Sequence, residues 1–437
     1  MKRFALNNVA VACVGVGLGA VAALGVVSAH SADTPPTYNQ LRTFSAAFAQ
    51  VRQQYFKPVT DQELVEGAIK GMVGRLDPHS AYMDAKSFGG DFRARTKGRF
   101  GGIGVQVMPD NGTIKVITPT DGMPAAAAGI KAEDHIIAIN GASVQDQDFS
   151  EAIDKMRGRV GTNVTVTIQR EGEKKPFDVT LTRADVPYDA VTSRREGEIG
   201  YIRMPGFNEQ TADGLEKAVA KLKKEIGPGV IKGYVLDLRN NPGGLLDQAV
   251  QVSDDFLNGG EIVSTRGRKP EDTQRFDAKG GDITDGKPIV VLINGGTASA
   301  SEIVSGALQD HRRATIIGMT SFGKGSVQSI LPLGENRGAL RLTTARYYTP
   351  SGRSIQAQGI VPDLRVAQGA EAERPLLRYS EAALAGHLEN DVVPDNEDAP
   401  VIYAAPGKTY DDFQLAYALD LLRGKETVAT VTKGSKS

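Results

Sequence analysis

The period of the apolar positions changes along this chain of 437 residues, and each change predicts a different kind of structure. From Asn39 to about Arg95 the spacing is three or four. In LRTFSAAFAQVRQQYF the residues Leu41, Phe44, Phe48, Val51, Tyr55 and Phe56 recur with helical spacing. VTDQELVEGAIKGMVGRL predicts a second helix with Asp61 as its N-cap. LDPHSAYM, residues 76–83, is a turn. Its His79 is a catalytic candidate in principle, but a histidine in a proline-containing turn is the plainer reading. From Arg99 the period becomes two. GTIKVITPT, DHIIAINGASV, NVTVTIQR and FDVTLTRAD are short strands separated by turn residues, with one helix in SEAIDKMRGRV.

From Ile199 strands and helices alternate. IGYIRM, GYVLDLR, EIVSTR, PIVVLIN, ATIIG and ALRLTTARYY read as strands, and EQTADGLEKAVAKLKKEI, LLDQAVQVSDDFL and SEIVSGALQDH as helices. That alternation predicts an α/β domain with a largely parallel sheet. Residues 367–408 are polar and weakly patterned, and YDDFQLAYALDLLRG, residues 410–424, is a final amphipathic helix.

Composition alters this picture only near the N-terminus. With 40% hydrophobic and 24% charged residues and a formal net charge of -1, the chain has no global attraction to nucleic acid or anionic lipid, and no nucleic-acid partner is expected. In the first 29 residues Lys2 and Arg3 precede an uncharged run from Val9 to Ala29 that ends Val27-Ser28-Ala29, the layout of a secretion signal. The run also reaches the ~20 residues that span a bilayer. Segment 1–29 is therefore read as a signal peptide or a membrane anchor, and either places the rest outside the cytoplasm. The only cysteine, Cys13, lies in this segment and the five histidines are scattered, so no disulfide, metal or cofactor is expected.

FGGIGVQV, residues 100–107, brings three glycines to the start of a strand, which alone is a hairpin or a bulge. The later MPAAAAGIKAEDHIIAINGASV places Pro124, Ala128, Gly129 and Ile130 in a P-x-x-x-A-G-apolar pattern, then Asp134, Ile136, Ile139, Asn140 and Gly141 in D-x-I-x-x-I-N-G. Together these stretches resemble a PDZ domain, with Glu133 standing where many relatives have glycine. The resemblance implies that the loop at Gly102, Ile103, Gly104 and Val105 receives a peptide's terminal carboxylate on its amides while the peptide adds a strand to the sheet edge.

NGGTASASEIVSGALQDH puts Ser299 and Ser301 ahead of a helix with the apolar face Ile303, Val304, Ala307 and Leu308. Ser299 and Glu302 fit the S-x-x-E capping box, so capping is one full account of Ser299. The other account is a nucleophile, because the amides of a helix N-terminus favour developing negative charge. His311, twelve residues along the helix, is ~18 Å away at ~1.5 Å per residue and out of reach. Lys324 in GMTSFGKGSVQ is the better base candidate, and three readings compete for it. GMTSFGKG nearly matches a phosphate loop but has Gly325 where a hydroxyl should hold magnesium. SFGK matches S-x-x-K, but two glycines argue against the helical turn that motif needs. The third reading pairs Lys324 with Ser299 across the fold. A free lysine, pKa ~10.4, is a poor base at neutral pH, so this pairing requires a closed apolar site. DLRNNPGGLL, residues 237–246, is either an ordinary strand–turn–helix or a source of amides for an oxyanion.

NGGTASASEIVSGALQDHRRATIIGMTSFGKGSVQ closely resembles the active-site block of the carboxyl-terminal processing proteases, also called tail-specific proteases, of peptidase family S41. The resemblance extends through GMVGRLDPHSAYM, the PDZ stretch, DLRNNPGG and YYTPSGRSIQAQGIVPD, over about 40–365, and beyond 367 only FQLAYALDLL matches loosely. It implies Ser299 as nucleophile, Lys324 as base, Gln328 as the third member, and an oxyanion hole from Ala300 with Gly243 or Gly244. It implies a multidomain α/β architecture: a helical N-terminal region (39–96), an inserted β-rich PDZ domain (97–186), an α/β protease core with a largely parallel sheet (187–366) and a helical C-terminal region (367–437). The expected activity is that of an exported, periplasmic serine endopeptidase cutting protein substrates near their C-termini, with the PDZ domain binding the tail and regulating access. Expected partners are proteins or peptides with free C-termini, an adaptor protein, the inner membrane through the N-terminal segment, and further copies of the chain. The rival is a non-catalytic PDZ peptide-binding protein on a protease-like scaffold.

Overall fold

The computed structural model describes residues 36–432 apart from 89–95, 97, 111, 121, 146, 148, 188–189, 336, 369–379, 391–399, 406–407 and 426–428. Segment 1–29, with the secretion-signal reading and Cys13, lies outside the described residues. The chain divides into two compact units, Met1–Met72 and Val73–Ser437.

The first unit carries the helix Pro36–Gln54 and nearly all of the helix Asp61–Val73. Thr60, rather than Asp61, caps the second. Its hydroxyl accepts from the Glu63 N–H at 3.2 Å while Glu63 Oε2 accepts from the Thr60 N–H at 2.8 Å, a T-x-x-E box. Asp61 instead sits in the first turn, where a negative charge suits the helix dipole. Much of the apolar stripe of the first helix and its end is exposed, including Leu41, Phe44, Val51, Tyr55 and Phe56.

An eight-stranded sheet organises the second unit, in the order Thr192–Glu196, Ile199–Arg203, Gly233–Asp237, Ile289–Ile293, Thr315–Gly318, Leu364–Val366, Val401–Ala404 and Ala429–Thr432. The six strands from Ile199–Arg203 to Val401–Ala404 are parallel, and the two edges are antiparallel. Parallel neighbours require crossovers, and these carry the helices Thr211–Ile226, Leu246–Asp254 and Ala300–Asp310. Side chains alternate across the central strands. Tyr234, Leu236, Val291 and Ile293 join the core under those three helices, while Val235, Val290 and Leu292 face a second core shared with Phe413, Ala418 and Leu419 of the helix Phe413–Leu422. Burial on both faces explains why such strands read as unbroken apolar runs like IVVLI.

Two strands legible in the sequence leave the parallel sheet. Gly260–Gly267 and Ala339–Tyr348 pair antiparallel and, with Gln274–Ala278, Ser326–Pro332 and Ala81–Met83, form a separate sheet of five. They carry Arg266, Arg341 and Arg346 and are only partly buried, unlike the fully buried central runs GYVLD and IVVLI. The C-terminal region 367–437 also contributes more than a helix, since two of its segments complete the main sheet.

The β-rich module has its own core of Ile136, Ile139, Val164, Val166 and Ile168. Asn140 and Gly141, with φ of 49° and 79°, make the tight turn of the I-N-G signature. Glu133 keeps φ at 70° where glycine would be at ease, at a cost of roughly 1–2 kcal/mol, and its carboxylate pairs with Lys115 at 2.6 Å. Arg99–Gly102 pairs with Ala184–Pro187, so the chain enters and leaves the module side by side.

Candidate active site

Three adjacent parallel strands deliver the site. Gly233–Asp237, Ile289–Ile293 and Thr315–Gly318 end at one edge of the sheet, and the loops that follow carry NNPGG, NGGTAS and TSFGKG. At this carboxyl edge open backbone meets the N-termini of crossover helices. The loops are sewn together by buried bonds. Thr297 Oγ1 donates to the Leu238 carbonyl at 2.9 Å, the Ala298 N–H to the Asn241 carbonyl at 2.9 Å, and the Phe322 N–H to the Thr297 carbonyl at 2.9 Å.

Ser299 precedes the helix Ala300–Asp310 with φ 57° and ψ -116°, a region that residues with a β carbon avoid. Holding it there costs on the order of 1–3 kcal/mol, a strain typical of functional turns. Its side chain outlines a capping box over the Glu302 N–H but makes no cap hydrogen bond; that N–H donates to the Ser299 carbonyl at 2.8 Å. The Ala300 N–H has no acceptor among the described residues. Ser301 has a different place: it is fully buried, with its hydroxyl donating to the Asn241 carbonyl at 3.0 Å.

Glu302 does more than close the first turn. Its carboxylate is fully buried and accepts four hydrogen bonds. Oε2 takes the Ser299 N–H at 2.7 Å and the Lys324 N–H at 2.9 Å, and Oε1 takes the Ser321 hydroxyl and the Gly323 N–H, each at 2.6 Å. One side chain thus fastens the Ser299 turn to the lysine loop. Burial pushes its pKa up to about 7 against the pull of those donors.

Lys324 is held below the usual lysine value of 10.5, first by burial and then by Arg341, against the opposing carboxylates of Glu381, Glu302 and Asp77. Among the described residues its ammonium makes no ion pair or hydrogen bond, so it is not bonded to the Ser299 hydroxyl. Gln328 is also turned elsewhere, with Nε2 donating to Ser326 Oγ at 2.9 Å and Thr343 Oγ1 at 3.4 Å. The structure therefore ties the Ser299 and Lys324 backbones to one carboxylate, while no hydrogen bond joins the Ser299, Lys324 and Gln328 side chains among the described residues.

The two glycines of the oxyanion reading differ. Gly243 lies so close to Ser299 that a β carbon on it would come within 2.8 Å of Ser299 Cβ and 2.9 Å of the Ala300 nitrogen, yet its N–H already donates to Asn241 Oδ1 at 2.9 Å. The Gly244 N–H has no acceptor among the described residues. In the β-rich module Gly104, φ 71°, leaves no room for a β carbon, which would fall 2.2 Å from Met123 Cβ. The loop is fixed through its carbonyls, Ile103 to the Ala125 N–H at 2.8 Å and Gly104 to the Thr120 N–H at 2.9 Å. The N–H groups of Ile103 and Gly104 have no acceptor among the described residues. Gly102 ends the strand Arg99–Gly102, and Val105 opens the edge strand Val105–Asp110.

Sequence reasoning missed Asn241, whose side chain braces the glycine turn, although N-P-G-G is a recognisable Asx-turn signal. It missed the reach of Glu302 to the lysine loop, which no local spacing encodes. A Glu302→Gln variant tests that tie. An amide turns an NH2 toward donors, so turnover is expected to fall on the order of 100-fold and the melting temperature to drop. Because burial raises the folded-state pKa above the ordinary 4.5, wild-type stability should decline as pH rises from 4.5 through about 7. Melts of both proteins across that range should show this decline in the wild type and a shallower one in the variant, where Asp255, also pushed up to about 7 by burial, keeps a part of it.

A family model described as peptidase family S41 matches residues 198–366, a PDZ model matches 101–181, and a model of the N-terminal domain of the activating protease CtpB matches 21–87. The carboxy-terminal-processing protease of Bartonella bacilliformis is 53% identical over 401 residues, 90% of each chain. The carboxy-terminal processing protease CtpA of Bacillus subtilis is 36% identical, over 84% of this chain and 77% of its own. Among solved structures, a photosystem II D1 C-terminal processing protease aligns with 30% identity and a TM-score of 0.44, covering 74% of this chain and 86% of that one. The chain with the Ser299 turn, the Lys324 loop and the glycine-loop module belongs to the carboxy-terminal-processing proteases, serine peptidases of family S41 with a PDZ domain.

Proposed function

We propose that this chain is an exported, periplasmic endopeptidase that cuts protein substrates near their C-termini with a Ser299–Lys324 pair after its PDZ domain has captured the substrate tail. The observation that carries the reading is the single carboxylate oxygen of Glu302 that accepts the amides of both Ser299 and Lys324. In this mechanism neutral Lys324 takes the hydroxyl proton as Ser299 Oγ attacks the scissile carbonyl, then gives it to the leaving amine. Water, deprotonated the same way, hydrolyses the acyl-enzyme. The Ala300 N–H at the helix start and an amide of the glycine turn receive the oxyanion. Gly244 is the better second donor, because Gly243 must first lose its bond to Asn241. Gln328, swung away from Ser326, orients the lysine amine without adding charge. Export rests on the basic, apolar and small-residue layout of segment 1–29.

Tail capture draws on the amides of Ile103 and Gly104, which have no acceptor among the described residues, beside the sheet-edge strand Val105–Asp110. Peptides ending in a free carboxylate and apolar residues should be cut with kcat/KM on the order of tenfold higher than the same peptides amidated, the value of one charge-assisted hydrogen bond. The test compares both forms with the full chain and maps the products by mass. Equal rates would remove the glycine loop from tail recognition. Binding without any cleavage would favour a peptide-binding protein on a protease-like scaffold.

A further inference from the structure

The loop that carries Lys324 is held from two sides. Glu302 holds it from the nucleophile helix. Residues 380–390, from the weakly patterned tail, hold it from the other. The Glu381 N–H donates to the Phe322 carbonyl at 2.8 Å. The Glu381 carboxylate, fully buried, accepts from Gln356 Nε2 at 3.0 Å, and Gln356 Oε1 accepts from the Gly325 N–H at 3.1 Å. Gln356 Nε2 also donates to the Leu388 carbonyl at 3.0 Å, and Asn390 Nδ2 donates to the Gln356 carbonyl at 2.7 Å. Phe322 and Gly325 bracket Lys324, so Glu381 governs both ends of its loop, one directly and one through Gln356.

A carboxylate buried this deeply needs a partner. It has His79, whose Nε2 lies 2.7 Å from Glu381 Oε2 and whose side chain is only 16% exposed. The turn under His79 is fixed in its own right. Asp77 Oδ1 accepts the N–H groups of His79 and Ser80, each at 2.8 Å, and Arg341 Nε donates to the His79 carbonyl at 2.8 Å. Thr343 is tied to the same turn, its N–H donating to Ser80 Oγ at 3.1 Å and its hydroxyl to Asp77 Oδ1 at 3.1 Å, and Thr343 is the residue that Gln328 faces. The turn therefore reaches the lysine loop through Glu381 and Gln328 through Thr343.

We propose that His79 and Glu381 are positioning residues for the lysine base: their pairing clamps residues 380–390 against the loop Phe322–Gly325, and so keeps Lys324 placed and shielded from water. The inference rests on the reading of Lys324 as the base. Neither residue acts on substrate. The charged groups that bear on Lys324 are Arg341, which disfavours its protonated form, and Glu381, Glu302 and Asp77, which favour it; burial, with Arg341 on its side, prevails over the three carboxylates.

The test assays peptide hydrolysis by the full chain and its His79→Ala, His79→Gln, Glu381→Gln and His79→Ala/Glu381→Gln variants, with Lys324→Ala beside them and a thermal melt of each. His79→Ala is expected to lower kcat at neutral pH by roughly 10- to 100-fold, with KM within about twofold. It should also move the acid limb of the kcat profile toward alkaline pH, because water admitted to the amine returns its pKa toward the ordinary lysine value. His79→Gln, which keeps a donor for Glu381, should recover part of the loss. The double variant should be no worse than the more damaged single one, because both act through one contact. A folded His79→Ala variant with wild-type kcat and an unmoved limb overturns the proposal, and so do losses that add. If His79→Ala does not fold, His79→Ser, whose side chain is too short to reach Glu381, decides by the same two measurements. A Lys324→Ala variant that still turns over overturns the Ser–Lys reading itself. An inactive Lys324→Ala beside an unaffected His79→Ala overturns the clamp alone.

Discussion

Replacing Lys324 with alanine should abolish turnover, by at least ~10⁴-fold, and arginine at the same position should not restore it. The argument is one of protonation. The amine is useful only when neutral, and burial with help from Arg341 is what lowers its pKa. Arginine stays protonated at any working pH, so it can fill the space without accepting the serine's proton. Activity of the wild type should accordingly rise with pH through the lysine's lowered pKa. The fold should survive either change at modest cost, since among the described residues the ammonium has no ion pair to lose. Measured kcat/KM profiles and melts of the three proteins check this; substantial turnover by the arginine variant would sink the lysine-base mechanism.

A Ser299→Gly variant should be inactive and yet more heat-stable than the wild type. The positive φ at Ser299 costs on the order of 1–3 kcal/mol for a residue with a β carbon. Glycine removes that strain and gives back roughly 0.5–1 kcal/mol through the freer unfolded chain. Ser299→Ala should be equally inactive, but should melt within ~0.5 kcal/mol of the wild type, because the hydroxyl makes no cap hydrogen bond. A serine-directed acylating probe should label the wild type and neither variant. Ser301→Ala should still label, although it forfeits the bond to the Asn241 carbonyl. If Ser299→Ala instead loses the ~1 kcal/mol of a missing cap and its activity follows the folded fraction alone, Ser299 is only a helix cap.

What could be read from the sequence was local or doubly buried. IVVLI and GYVLD announce central strands because both their faces are covered. The partner of each strand is a different matter. Nothing in ALRLTTARYY says that it meets Ala81–Met83 across the whole inserted module and not its neighbours in the parallel sheet. S-x-x-E was legible as a cap, and the Glu302 arm of that cap exists, but the same carboxylate reaches Ser321, Gly323 and Lys324 from another strand's loop. The choice between Gly243 and Gly244 turns on where one asparagine side chain points. The orientation of Gln328 is likewise a rotamer, which neighbouring letters do not determine.

The pairing of His79 with Glu381 spans 302 positions, and that distance is also a delay. A ribosome adding ~5–20 residues per second needs roughly 15–60 s to make the second residue after the first. Ala81–Met83 likewise waits for residues 339–341. Ser299 and Lys324 are both made before the far side of the lysine loop is covered. The nascent chain thus carries its reactive groups before it carries the means to keep the amine dry. On the proposed Ser299–Lys324 mechanism an amine open to water stays largely protonated, so the half-made chain is expected to be a far weaker peptidase toward its own unfolded segments than the finished one.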